Sequence, residues 1–189
     1  MILEEIAIKR LTFRFPDCSF DMFTGSGVFS KSSLDNGTSV LLRHMQIKPK
    51  DRVLDLGCGI GTVGVYVKKK NPEAEVILSD TNERAVFLAK KNLKLYHLDC
   101  PVIISDVFSK IDGSFDVILL NPPQAAGKDV CFAMIEGAAR HLVPNGSLQL
   151  VARHAKGGAS FEKKMSNVFG NVSQIGKKSG FTVYKSILS

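Results

Sequence analysis

The sequence predicts an α/β fold: a mostly parallel, seven-stranded sheet with an antiparallel C-terminal strand, helices on both faces and a short β-rich N-terminal extension. Three observations point there. From Val53 onward, short apolar runs alternate with amphipathic stretches, the pattern of parallel strands joined by crossover helices. The first run, Val53 to Leu56, leads straight into Gly57-Cys58-Gly59-Ile60-Gly61, a turn that brings backbone close to a ligand. The last two apolar runs, Val172 to Ile175 and Phe181 to Ser186, have no helix between them and should pair antiparallel.

The elements follow in order. Alternation in Leu11-Thr12-Phe13-Arg14-Phe15 marks a strand, and Gly25-Ser26-Gly27 a turn. Asp35 or Asn36 can cap a helix running to about Met45. Strands are expected at Val53 to Leu56, Val76 to Ser79, Val102 to Ile104, Phe115 to Leu120 and Ser147 to Val151, before the closing pair. Helices are expected at Thr62 to Lys70, Asn82 to Asn92, Lys128 to His141 and about Ser160 to Phe169. The helix Lys128 to His141 should stop near Pro144-Asn145-Gly146, and Lys177-Lys178-Ser179-Gly180 should form the last turn. There is no repeat or low-complexity tract. One domain over 1–189 is expected, with 1–45 as an extension and cofactor lid and 46–189 as the catalytic core.

Composition narrows the function classes. The chain has 189 residues, 44% hydrophobic and 23% charged, enough for one substantial core. No apolar run approaches the length of a membrane span, and Glu4 and Glu5 stand where a secretory signal would carry basic residues, so a cytoplasmic protein is expected. Cys18, Cys58, Cys100 and Cys131 are widely spaced, which offers neither a disulfide framework nor a metal ligand set. A net charge of +7 suits a polyanionic partner such as nucleic acid.

Gly59-Ile60-Gly61-Thr62-Val63-Gly64 also satisfies the dinucleotide pattern, so an NAD or flavin oxidoreductase has to be weighed. Asp55 speaks against it. A carboxylate two residues before Gly57 would repel a pyrophosphate but suit an ammonium group. Asp80 ends the second strand, where an acid can hold a ribose, and Asp106 follows the third, within reach of an adenine amino group. An acidic site of this kind suits S-adenosylmethionine, which carries a sulfonium, an ammonium and a nucleoside. Asn121-Pro122-Pro123-Gln124, at the end of the fourth strand, puts a side-chain amide and rigid carbonyls beside it. The Asn121 oxygen and Pro122 carbonyl can each accept one hydrogen of a planar NH₂.

Asp55-Leu56-Gly57-Cys58-Gly59, followed by Asp80, Asp106 and Asn121-Pro122-Pro123, resembles the class I, Rossmann-like S-adenosylmethionine-dependent methyltransferases. Gly27-Val28-Phe29-Ser30 with Leu34-Asp35-Asn36-Gly37-Thr38 is similar to the "methyltransferase small domain" family, which includes guanine-N2 methyltransferases of small-subunit ribosomal RNA. Asn121 to Lys128 resembles its archaeal single-domain members. The resemblance implies a cofactor site formed by Phe29, Asp35, Gly37, Thr38, Asp55, Gly57, Cys58, Gly59, Gly61, Asp80, Thr81, Asn82, Ser105, Asp106, Val107 and Asn121, and a catalytic corner of Asn121, Pro122, Pro123 and Gln124.

Related enzymes often carry an aromatic residue where Gln124 stands, which leaves the target base open. The implied function is N-methylation of a nucleic-acid base, guanine N2 in ribosomal RNA first. Protein glutamine or DNA adenine methylation, and a catalytically inactive RNA-binding module, are the alternatives. No metal and no membrane are expected, and a monomer is favoured. RNA would dock through the basic surface, with Lys9, Arg10, Arg14, Arg43, Lys128, Arg153 and Lys156 as candidates.

Overall fold

The structure is a computed structural model and describes residues 7–15, 17–28, 34–123 and 127–189, with the Lys156 side chain excepted. Phe29 and Gln124 lie outside the described residues. Strands β1 (Lys9–Arg14) and β2 (Ser19–Thr24) pair antiparallel as a separate hairpin. Helix α1 (Asn36–His44) follows. The main sheet contains β3 (Arg52–Leu56), β4 (Glu75–Asp80), β5 (Val102–Ile104), β6 (Phe115–Leu120), β7 (Leu142–Arg153), β8 (Ser173–Lys178) and β9 (Phe181–Ile187). Its order is β5-β4-β3-β6-β7-β9-β8, and β9 alone runs against the rest. The expected fold class is therefore found.

Helices α2 (Thr62–Lys70) and α3 (Glu83–Leu95) pack with α1 and the hairpin on one face. Helices α4 (Gly127–Arg140) and α5 (Ala159–Phe169) cover the other. Alternation along the strands explains the two layers. Val53, Val117, Leu119 and Val151 face the first set of helices, while Leu54, Leu56, Ile118 and Leu120 face the second. No described helix is long and apolar enough to cross a membrane.

Two expectations are corrected. Pro144-Asn145-Gly146 does not end a helix before a fresh strand, because β7 starts at Leu142 and runs through it. The backbone there is held by Asn145 N–H to the Leu188 carbonyl (2.8 Å) and Leu188 N–H to the Gly146 carbonyl (2.9 Å), with the register against β6 shifting between Phe115 and Val117. It is a bulge. Lys177 and Lys178 belong to β8 rather than to the turn, which is only Ser179-Gly180, both at positive φ (52° and 79°). Lysines on an exposed edge strand also discourage pairing with another chain. A single π-helical turn, His154–Gly158, links β7 to α5 and was not foreseen.

Two buried amides stitch the N-terminal segment to the sheet. Asn92 on α3 accepts from Phe23 N–H (2.6 Å) and donates to the carbonyls of Phe23 (3.0 Å) and Ile60 (2.9 Å). Gln149 on β7 accepts from Gln46 N–H (2.8 Å) and donates to the Gln46 carbonyl (2.7 Å). Each amide satisfies both backbone groups of one residue, as a β-ladder would. Asn92→Ala would strand three backbone groups in an apolar setting and should lower the unfolding free energy by about 3 kcal/mol. Urea denaturation measures it, and an unchanged midpoint would contradict this role for Asn92.

Candidate functional site

The chain lays down β3, β4 and β5 outward in one direction and then returns to place β6 on the other side of β3. Such a reversal opens a crevice at the carboxyl ends of the two central strands. A cavity of about 750 Å³ lies there, within the size range of cofactor sites.

The turn from β3 to α2 forms its floor. Gly57, Gly59 and Gly61 all have positive φ (72°, 55° and 80°), a backbone path closed to most side chains. The turn is tied to β4: Gly57 and Cys58 N–H donate to the Ser79 carbonyl at 2.9 and 2.8 Å. Gly64 completes the packing, since a Cβ there would stand 2.5 Å from Leu78 Cδ2. Gly59 has open space above it. Gly61 and Gly37, both expected to touch a cofactor, do not line the cavity: Gly61 faces Ala89 on α3, and Gly37 faces Asp35, Asn121 and Phe181.

Carboxylates surround this floor. Asp55 is 4% exposed and accepts from Gly64 N–H at 2.9 Å. Burial pushes its carboxyl up to about 7, opposed by the Gly64 N–H and reinforced by the charge of Asp80. Asp80 accepts from Gly59 N–H and from Asn82 N–H, each at 2.8 Å, so it closes the glycine turn and starts α3 together. Asn82 caps α3 through Arg84 N–H (3.0 Å) and donates to the Gly27 carbonyl (2.9 Å).

At the end of β5, Ser105 is buried and turns its hydroxyl to the Lys110 N–H and Val107 carbonyl. Asp106 is exposed at the rim, and Val107 and Thr81 also line the cavity. Burial drives the Cys58 thiol well above its usual range, with Asp55 and Asp80 adding to it, so it is a poor nucleophile.

The opposite wall is the Asn121-Pro122-Pro123 corner at the end of β6. Asn121 Nδ2 donates to Asp35 Oδ2 (2.9 Å) and to Thr38 Oγ1 (3.0 Å). Thr38 Oγ1 in turn donates to Asp35 Oδ2 (3.4 Å), which also accepts from Thr38 N–H (2.9 Å) as the cap of α1. A carboxylate oxygen only accepts, so this network fixes which end of the amide faces it. The Asn121 oxygen accepts no hydrogen bond from a described residue, and Asn121 is among the residues that line the cavity. Asp35 and Thr38, expected as a lid, are thus found bracing Asn121, and both also line the cavity.

Sequence reasoning missed Ser79 and Phe181 here, and named Arg153 only as an RNA-docking candidate on the basic surface. Ser79 Oγ is buried against the cavity with no hydrogen-bond partner among the described residues. Arg153 and Phe181 close the wall beyond Asn121. Phe181 gave no local signal, because only the pairing of β7 with β9 carries it there. A roomy cavity holding an open glycine cradle, a buried carboxylate short of a cation and an orphaned hydroxyl fits S-adenosylmethionine.

Comparisons agree with this geometry. The family model "Methyltransferase small domain" matches residues 19–185. The chain is 36% identical over 162 residues to the ribosomal RNA small subunit methyltransferase C of Pasteurella multocida, covering 84% of this chain and 48% of that protein. It is 34% identical over 179 residues to the uncharacterised protein YbxB of Bacillus subtilis, covering 93% and 89%.

Among solved structures, a T. thermophilus 16S rRNA N2 G1207 methyltransferase in complex with AdoMet and guanosine superposes with a TM-score of 0.87 at 25% identity, over 96% of this chain and 51% of that one. The chain thus spans about half the length of the methyltransferase C relatives it matches. A glycine-floored, acid-lined cavity facing an Asn-Pro-Pro corner, in a chain matched from 19 to 185, places this protein in the methyltransferase small domain family, whose members use S-adenosylmethionine.

Proposed function

We propose that this chain is an S-adenosylmethionine-dependent N-methyltransferase that acts on an exocyclic amine of a nucleic-acid base, guanine N2 of small-subunit ribosomal RNA being the favoured target. The bracing of Asn121 carries the reading, since its Nδ2 is committed to Asp35 and Thr38, its oxygen accepts from no described residue, and Asn121 lines the cavity beside the glycine turn. The methyltransferase C relatives and the neighbour bound to AdoMet and guanosine support the target, as does the net charge of +7.

Asp55 sits where it can attract the ammonium of an amino-acid moiety, and the Gly57–Gly59 backbone leaves room for the chain above it. Asp80 serves ribose hydroxyls with the lone pairs its two backbone bonds leave over. Asp106 and Val107 stand at the adenine edge. When bound, the cofactor supplies an electrophilic methyl carbon.

An exocyclic base amine is a weak nucleophile because its lone pair is delocalised, so position matters more than a strong base. The Asn121 oxygen and the Pro122 carbonyl each accept one N–H, which turns the nitrogen lone pair toward the cavity floor. Pro122 is buried and its φ is restrained, which keeps its carbonyl direction stiff. Alignment of this kind contributes roughly 7–11 kcal/mol in favourable cases. The test is transfer of labelled methyl groups to ribosomal RNA, transfer RNA, DNA and total protein in parallel, with digestion of the product. Label confined to protein glutamine or to DNA adenine would overturn the proposed target.

Asn121→Ala should lower kcat by at least about 100-fold, with cofactor affinity nearly unchanged. Asp35→Ala should lower it less, because the amide survives but can rotate. Turnover equal to the parent in both variants would remove the corner from catalysis. The Asp55 carboxyl, raised to about 7, also gives a pH dependence. Only its ionised form attracts an ammonium, so cofactor affinity should rise up to about tenfold between about pH 6 and about pH 8, with proton release on binding. Calorimetry at both pH values tests this, and Asp55→Asn should flatten the profile.

A further inference from the structure

Among the described residues, four carboxylates line the cavity, those of Asp35, Asp55, Asp80 and Asp106, against a single cationic side chain, Arg153. A polyanionic substrate would be repelled from such a site unless its charge met a cation at the point of entry. Arg153 is the last residue of β7 and pairs directly with Phe181, the first of β9. Its guanidinium carbon lies 5.1 Å from the Phe181 ring centroid. Its side chain makes no ion pair or hydrogen bond with any described residue, so its charge is not already committed to a carboxylate. A guanidinium held over a ring by its π face, with no hydrogen-bond partner among the described residues, keeps its N–H groups available for two-point binding of phosphate.

Register gives the spacing. Leu120 pairs with Leu150 in parallel strands, so Asn121 is level with Val151 and Arg153 stands two residues farther out. Two residues along a strand are roughly 7 Å and share one face of the sheet. That separation is of the order of the distance from the edge of a base to its own backbone phosphate.

We infer that Arg153, held over the Phe181 ring, is a phosphate-binding subsite for the phosphodiester of the nucleotide whose base enters the Asn121-Pro122 corner. The inference rests on the proposed nucleic-acid methyl transfer and gives that site its polynucleotide contact. The Asn121-Pro122 corner would grip any planar NH₂, whereas Arg153 favours one borne on a phosphodiester chain over one borne on a protein side chain.

The test is fluorescence anisotropy of a short fluorescein-labelled single-stranded RNA with the whole chain and with Arg153→Gln and Arg153→Lys, across a salt series. Thermal melting checks that each variant is folded. Arg153→Gln should weaken binding about fivefold and reduce the log–log salt slope by about 0.7, the share of one single-strand phosphate. Arg153→Lys should restore the slope but only part of the affinity, because an ammonium cannot bind phosphate at two points. Equal affinity and slope in the parent and in Arg153→Gln would overturn the subsite. Methyl transfer to the same RNA, run in parallel, separates the two ideas. RNA bound through Arg153 but never methylated sinks the catalytic reading alone, and RNA methylated with no dependence on Arg153 sinks the subsite alone.

Discussion

Everything at this site depends on one shared carboxylate. Asp35 caps α1 and, through the same oxygen, accepts one amide hydrogen of Asn121, the other going to Thr38 Oγ1. The two functions cannot be separated, because moving the start of α1 would release the end of β6. With Thr38 braced between them, the Asn121 nitrogen is committed to both, and its oxygen is left without a partner among the described residues. A side-chain amide free to flip would present donor and acceptor equally and could not discriminate a substrate NH₂. Gly37 permits the contact, since a Cβ there would come within 3.3 Å of the Asn121 oxygen and 3.1 Å of Phe181.

The second constraint is electrostatic. Asp55 and Asp80 are both enlisted by backbone N–H groups of the glycine turn and of α2, so their negative charge is built into the loop that forms the floor. Burial makes the Asp55 charge costly until a cation arrives, which suits a positively charged ligand. That same acidity is hostile to a polyanion. The opposed demands of a cationic cofactor and an anionic substrate are met by placement: Asp55 and Asp80 stand at the ends of β3 and β4, Asp35 is engaged by Asn121 and Thr38, and Arg153 stands over β7 and β9.

Much of the fold was legible because its signals are local. Strand and helix periods, the Asp35 cap and the glycine turn each depend on residues a few positions apart, and the chain bears them out. Misreadings came where distant backbone intervened. Pro144-Asn145-Gly146 reads as a break, yet Leu188, more than forty residues on, supplies the hydrogen bonds that hold it in a strand. Asn92 and Gln149 look like ordinary polar positions on a helix and a strand. Their roles appear only when Phe23 and Gln46 are brought beside them.

For the site, the sequence alone determined the chemistry on offer: carboxylates at strand ends, a glycine turn, an Asn-Pro corner. These follow from residue type and from the rule that parallel strands present their carboxyl ends to ligands. Tertiary structure alone decided how those groups are aimed. It set the Asn121 amide against Asp35, some eighty positions earlier in the chain, and laid Arg153 on Phe181 through an antiparallel pairing of β7 with β9. The reason is physical. A side chain's type is local information, whereas its direction is set by whichever partners the fold places within hydrogen-bonding or stacking distance.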